Sequence, residues 1–203
     1  MTRLAFLASN NGSSMRAIVA ACRDGRLACE PVLVVSNKKD SAALTFAREN
    51  NIESRCIPTI NDPDAADAAL AGALKAAGAD LVVLSGYLRK LGPVTLAAYR
   101  HRILNVHPAL LPDFGGRGMY GRRVHEAVLA AGVAETGATV HLVDEEYDHG
   151  PPVAQARVPV LPGDDAAAIE ARVMAAEPQL FVDTLGRIAR GELALPQATG
   201  AGA

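Results

Sequence analysis

Leu4-Ala5-Phe6-Leu7-Ala8 runs directly into Ser9-Asn10-Asn11-Gly12-Ser13-Ser14, and the Ala-rich stretch from Met15 to Cys22 follows. A short apolar run, a turn of small polar residues and a helix-forming segment make the first half of a βαβ unit. The pattern then repeats: Pro31–Val35 before Ala42–Glu49, Ser54–Pro58 before Ala65–Ala77, and Leu81–Leu84 before Val94–Tyr99. Such repeats require a parallel sheet with right-handed crossovers, so the N-terminal half is expected to be doubly wound in an α/β fold.

After Ile103–Val106 the character changes. A loop rich in Gly and Pro, His107 to Gly118, leads to a helix expected over Tyr120–Ala131. Ala138–Val143 and Val153–Val160 alternate apolar with polar residues, as half-exposed antiparallel strands do. The expected fold is an open, doubly wound, mostly parallel sheet with antiparallel strands toward the C-terminal half. Gly163-Asp164-Asp165 opens a last helix with an acidic first turn and apolar Ile169, Val173, Leu180 and Val182, stopped by Gly191. Pro178 is expected to kink or restart it. Residues 1–193 read as a single domain, with a nucleotide- or phosphate-binding half over 1–100, a catalytic half over 101–193, and a tail over 194–203.

Composition narrows the class of function. The 203 residues are 50% apolar but only 4% aromatic, with no Trp, so the core must be built from Ala, Val, Leu and Ile. A formal net charge of -2, without a run of Lys or Arg, argues against nucleic-acid and membrane-surface partners. Any anionic ligand must be held locally. Cys22, Cys29 and Cys56 are odd in number and lack CxxC spacing, which points away from a disulfide framework and from zinc. The apolar start is too short for a secretory core and no run of 18 apolar residues follows, so a cytoplasmic protein is expected.

Three motifs carry chemistry. The Ser9–Ser14 loop sits between a strand and a helix, where free backbone N–H groups hold anions, although it has neither GxGxxG spacing nor the Lys of a P-loop. Asn105-Val106-His107-Pro108 ends a strand expected to be central, and alternation points Asn105 and His107 to one side. Glu145-Glu146-Tyr147-Asp148-His149-Gly150-Pro151 is a turn-rich acidic stretch whose Asp148, if folded over the strand ends, would pair with His107, charge it and fix its tautomer. An amide, an imidazole and a carboxylate suit acyl or one-carbon transfer to a nucleophile that the substrate supplies, the oxyanion being held by Asn105 and protonated His107. No enzyme nucleophile is evident: there is no GxSxG, and no Cys stands beside a His.

These residues resemble the formyltransferase family that uses 10-formyltetrahydrofolate. Asn105-Val106-His107-Pro108-Ala109-Leu110-Leu111-Pro112 is similar to that family's Asn-x-His-Pro-Ser-Leu-Leu-Pro block, and Gly86-Tyr87-Leu88-Arg89-Lys90-Leu91 to its Gly-Phe-Met-Arg-x-Leu segment. Gly137-Ala138-Thr139-Val140-His141, Asp148-His149-Gly150-Pro151 and Gln155-Ala156 continue the resemblance, which runs in order from Leu4 to about Leu193. The short length, the opening loop and Ser36-Asn37-Lys38 resemble the branch that formylates glycinamide ribonucleotide in purine synthesis, since other branches carry an extra domain.

The resemblance implies Asn105, His107 and Asp148 as the catalytic set. It implies that Asn11, Gly12, Ser13 and Ser14 bind the substrate phosphate and that Glu177 contacts the ribonucleotide. Leu88, Arg89, Leu91, Val143, Asp144, Glu145 and Asp148 would line the pocket for 10-formyltetrahydrofolate, a co-substrate, with no metal and with a monomeric or homodimeric assembly. Asn10 replaces the family's first loop glycine, and Asp113 to Gly121 is longer and richer in glycine than the commonest form; Arg117 within it and Arg122 and Arg123 just after it are candidates for a phosphate or a folate tail. The alternatives are a formyltransferase acting on another amine, such as an amino sugar nucleotide or methionyl-tRNA, and a non-catalytic nucleotide-binding module; a nicotinamide dehydrogenase is a distant third, because the dinucleotide fingerprint is missing.

Overall fold

A computed structural model of the chain describes residues 1–197. Strands β1 (Thr2–Leu7), β2 (Cys29–Ser36), β3 (Glu53–Cys56), β4 (Leu81–Leu84) and β5 (Ile103–His107) alternate with helices α1 (Ser13–Arg23), α2 (Ala42–Glu49), α3 (Pro63–Ala76) and α4 (Pro93–Ala98). Helix α5 (Arg122–Ala130), strands β6 (Glu135–Leu142) and β7 (Pro152–Pro159), and helix α6 (Ala166–Ala189) follow. The strands form one seven-stranded sheet in the order β3-β2-β1-β4-β5-β6-β7. Pairing is parallel from β3 across to β5 and antiparallel at β5–β6 and β6–β7, as the sequence pattern predicts.

The strand order reverses direction between β1 and β4, which places a crevice at their carboxyl ends where open α/β sheets bind ligands. Ser9 follows one of these strands and Ser85 and Gly86 the other, so both loops open onto that crevice. Alternation along β1 sends Leu4 and Phe6 into one apolar layer and Ala5 and Leu7 into the other. The first layer is shared with α1, α2 and α6, the second with α3 and α4.

Local chemistry sets the helix ends. Ser41 Oγ accepts the Leu44 N–H at 3.3 Å, Asp62 the Ala65 N–H at 2.9 Å, and Asp165 the Ala168 N–H at 2.8 Å. Helix α4 borrows its cap: Gly92 has no side chain, and the buried Asp67 of α3 accepts from Val94 and Thr95 at 2.8 and 3.1 Å.

Three expectations are corrected. Strand β6 is not half exposed but buried from Thr136 to Leu142. Its apolar residues Ala138, Val140 and Leu142 pack into the first core layer, while its polar Thr139 hydrogen-bonds the loop after β5 and its His141 hydrogen-bonds Asn105 of β5. Only β7, at the sheet edge, shows the half-exposed alternation. Asp164 and Asp165 precede α6 rather than filling its first turn: Asp165 caps it, and Asp164 pairs with Arg172 at 2.7 Å. Helix α6 does not restart at Pro178; it is one helix of 24 residues, held along its length against α1, α5, β6 and β7. That packing offsets the cost of an internal proline, about 3 kcal/mol. In the predicted tail, Leu195 packs on the core and the Pro196 carbonyl accepts from Arg102; residues 198–203 lie outside the described residues.

Candidate functional site

Strand β5 delivers two polar side chains to the crevice. Asn105 and His107 continue the face of Ile103, while Leu104 and Val106 point into the opposite core layer. The antiparallel register then sets His141 opposite Asn105 and Thr139 opposite His107. Cross-strand partners of this kind lie close enough to bond directly. Asn105 Nδ2 donates to His141 Nε2 at 3.1 Å, and His141 Nδ1 donates to the Leu142 carbonyl at 2.9 Å. Burial holds His141 below the ordinary histidine value, against the opposing pull of that carbonyl and of Asp148.

Asp148 arrives from the loop between β6 and β7. One carboxylate oxygen lies 3.3 Å from His107 Nδ1 and accepts the Gly116 N–H at 3.1 Å; the other lies 3.6 Å from His141 Nε2. Burial works against its charged form, but the hydrogen bond and charge of His107, with the Gly116 N–H and His141, prevail and hold the carboxyl below the ordinary aspartate value. The pairing expected from sequence is therefore present. The His107 nitrogen expected to reach the oxyanion is already engaged: Nε2 lies 2.8 Å from the Phe114 carbonyl, so both ring nitrogens face acceptors and only the doubly protonated ring satisfies both.

The glycine-rich segment over 113–121 thus has a role that its sequence did not disclose. Phe114 and Gly116 bond His107 and Asp148 from one side. Thr139 and Gln155 fix the preceding turn: the Leu111 N–H donates to Thr139 Oγ1 at 3.0 Å, Thr139 Oγ1 donates to the Ala109 carbonyl at 2.6 Å, and Gln155 Nε2 donates to the Leu111 carbonyl at 2.9 Å. Of the candidate arginines, Arg122 pairs with Glu170 at 2.9 Å, Arg123 lies over the Tyr120 ring, and Arg117 is exposed.

Next to the triad a cleft of about 100 Å³ is lined by Arg89, Leu91, Val143, Asp144, Glu145 and Asp148, all of them in the implied folate set, together with Leu84, Tyr87, Lys90, Asn105, His141, Glu146 and Tyr147. Leu88 is the exception: its side chain is 64% exposed, and its contribution is an N–H donated to Ser9 Oγ at 2.8 Å, which ties the cleft wall to the Ser9–Ser14 loop.

In that loop Gly12 is the N-cap of α1, at φ 66°, and offers no side-chain acceptor. The Met15 N–H donates to Ser85 Oγ, while Asn11 and Ser13 are exposed and Ser14 is buried. A helix start without a side-chain cap suits an anion. Two cations border the loop: Lys38 Nζ donates to Asn10 Oδ1 at 2.7 Å and Arg16 Nε to the Asn11 carbonyl at 3.0 Å. Asn10, the residue in place of glycine, is what anchors the lysine. Glu177 lies on α6 within the field of His107; burial pushes its carboxyl up to about 7 while His107 pulls it down.

His141 is the site residue that sequence reasoning quoted without assigning. The signal available was its spacing of two from Thr139, which puts both on the face opposite Ala138 and Val140. Among the described residues, no group of three or more His, Cys, Asp or Glu side chains is arranged to hold a metal ion, and no helix is long and apolar enough to cross a membrane.

Residues 2–185 match the family described as formyl transferase. The chain is 42% identical over 190 residues to the chloroplastic phosphoribosylglycinamide formyltransferase of Arabidopsis thaliana, covering 92% of this chain and 65% of the relative. It is 34% identical over 192 residues to the phosphoribosylglycinamide formyltransferase of Escherichia coli K12, covering 94% and 88%. It thus spans about two thirds or less of the plant relatives' length, 65% of one and 59% of another, and most of the bacterial one. The fold superposes on the crystal structure of glycinamide ribonucleotide transformylase 1 from Symbiobacterium toebii with a TM-score of 0.87 at 36% identity, covering 97% of this chain and 91% of that one.

Proposed function

The chain belongs to the formyl transferase family, and from that premise we propose that it transfers the formyl group of 10-formyltetrahydrofolate to the amine of glycinamide ribonucleotide, yielding N-formylglycinamide ribonucleotide and tetrahydrofolate for purine synthesis. The observation that carries this reading is the meeting of Asn105, His107 and Asp148 at the cleft, on the carboxyl edge of the sheet where a phosphate-suited helix start also opens.

In this reading residues 1–100 supply the phosphate site: backbone N–H groups of Asn11, Gly12, Ser13 and Ser14, with Lys38 beside them. Residues 101–193 supply the chemistry. Glu177 meets the ribonucleotide, and the cleft takes the donor, its apolar walls Leu84, Leu91 and Val143 suiting the flat pterin and its rim Arg89 and Lys90 suiting an anionic tail. The amine nitrogen attacks the formyl carbon, the carbonyl becomes an oxyanion, and the bond to folate nitrogen breaks as that nitrogen takes up a proton. Asn105 has one amide hydrogen engaged by His141 and the other free for the oxyanion. Asp148, kept ionised, receives the amine proton through the oxygen that faces His141 and passes it toward the leaving nitrogen. His107, buried and bonded on both nitrogens, supplies positive charge behind both groups. The protein would work in the cytoplasm as a monomer or homodimer on small molecules, without nucleic acid or membrane partners.

The test is product analysis with 10-formyltetrahydrofolate and, in parallel, glycinamide ribonucleotide, an amino sugar nucleotide and methionyl-tRNA. Formyl transfer to glycinamide ribonucleotide is expected. Transfer only to another amine would overturn the substrate, and transfer to none would leave a nucleotide-binding module.

A further inference from the structure

Asp148 does its work from a backbone conformation that side chains disfavour. Its φ is 55°, in the left-handed region, so something must hold it there. On one side the hold comes from His107 and Gly116. On the other, the loop is closed on itself. Asp144 Oδ1 accepts the Glu146 N–H at 2.9 Å, and Asp144 Oδ2 accepts from His149 Nδ1, also at 2.9 Å. The stem beneath is shut by the Leu142 N–H on the Pro151 carbonyl at 3.0 Å, with Gly150 so close to the Leu142 carbonyl that a Cβ would meet it at 1.9 Å.

We infer that His149 and Asp144 are a positioning pair that closes the loop around Asp148 and aims its carboxylate at His107, a role that rests on the formyl-transfer reading above. His149 is the residue immediately after Asp148, so fixing its ring to the loop's first residue limits rotation of the peptide on the C-terminal side of Asp148. The pair is 67% and 31% exposed in its side chains, so it contributes little to the core. The protonated form of His149 is favoured first by the hydrogen bond to Asp144, then by the charges of Asp144 and Glu146, which strengthens the closure at neutral pH. Neither partner touches the reacting atoms; both act through Asp148.

The experiment combines kinetics with histidine NMR on the full chain. His149→Ala is expected to lower kcat about tenfold with the KM for glycinamide ribonucleotide unchanged, because a loosened carboxylate loses alignment but not the phosphate site. His149→Asn keeps a donor near the Nδ1 position and should restore most of the rate. Asp144→Ala with His149→Ala should be no slower than Asp144→Ala alone, since His149 acts through its bond to Asp144, whereas Asp144 also holds the Glu146 N–H. The imidazole resonances of His107 should shift in His149→Ala. Unchanged His107 resonances, or wild-type kcat in His149→Ala, would overturn the pairing. An inactive wild type would instead sink the formyl-transfer reading, and the NMR arm would still decide whether the loop is closed by this pair.

Discussion

The two halves of the crevice recognise their ligands by different means. At the α1 start the groups on offer are backbone N–H groups around a glycine at positive φ, and the side chains Lys38 and Arg16 stand at the border. At the end of β5 the groups are side chains locked to one another: Asn105 to His141, His107 to Asp148 and Phe114, and Asp148 to Gly116. A backbone site tolerates side-chain change and loses affinity gradually. An interlocked site loses function at a single deletion, because every partner left behind is a buried polar group without its mate.

The sharpest contrast is at His107. His107→Ala should reduce kcat by about 100-fold or more while the circular dichroism spectrum stays native, since it removes the charge that supports both Asn105 and Asp148. Lys38→Met should do the opposite kind of damage, raising the KM for glycinamide ribonucleotide about tenfold at unchanged kcat. Steady-state kinetics with each substrate varied separates the two. Ser13→Ala should change neither constant by more than about twofold, because the backbone N–H rather than the hydroxyl is the ligand group. A large loss there would erase the distinction between the regions.

A smaller effect concerns stability. The folded value of Glu177, about 7, lies above its ordinary 4.5, so between those values the native state keeps a proton that the unfolded chain has released. Stability from this group therefore falls as pH rises from 4.5 to 7 and stays lower above it. Glu177→Gln should remove that decline, raising Tm by a few degrees, roughly 2–4 °C, at pH 8 and hardly at all at pH 4. An equal shift at both values would contradict the buried carboxyl.

Legibility in the sequence followed the same division. The parallel half was readable because each βα unit is local: Leu4–Ala8, the polar turn and Met15–Cys22 declare strand, loop and helix within about twenty residues. Asn105 and His107 were readable as a pair because strand alternation is also local. What escaped depends on distant chain segments. Thr139 and His141 looked like the solvent side of β6, but the loop after β5 takes Thr139, and Asn105 and the Asp148 loop take His141. The Phe114 carbonyl, a backbone atom with no residue signature, takes the His107 nitrogen that an isolated reading leaves free. Lys38 reaches Asn10 across two βα loops, from a segment that spacing alone ties to nothing.

The most direct test of the account is the single-turnover rate of formyl transfer as a function of pH in wild type and Asp148→Asn. Because the Asp148 carboxyl is held below its ordinary value, its charge is present at neutral pH and lost only as pH falls through that lowered value, so the wild-type rate should decline on the acid side. The variant should be slower by about 100-fold or more and flat across that range. A variant that keeps the wild-type rate, or the same acid limb, would show that the carboxylate beside His107 is not the group on which transfer depends.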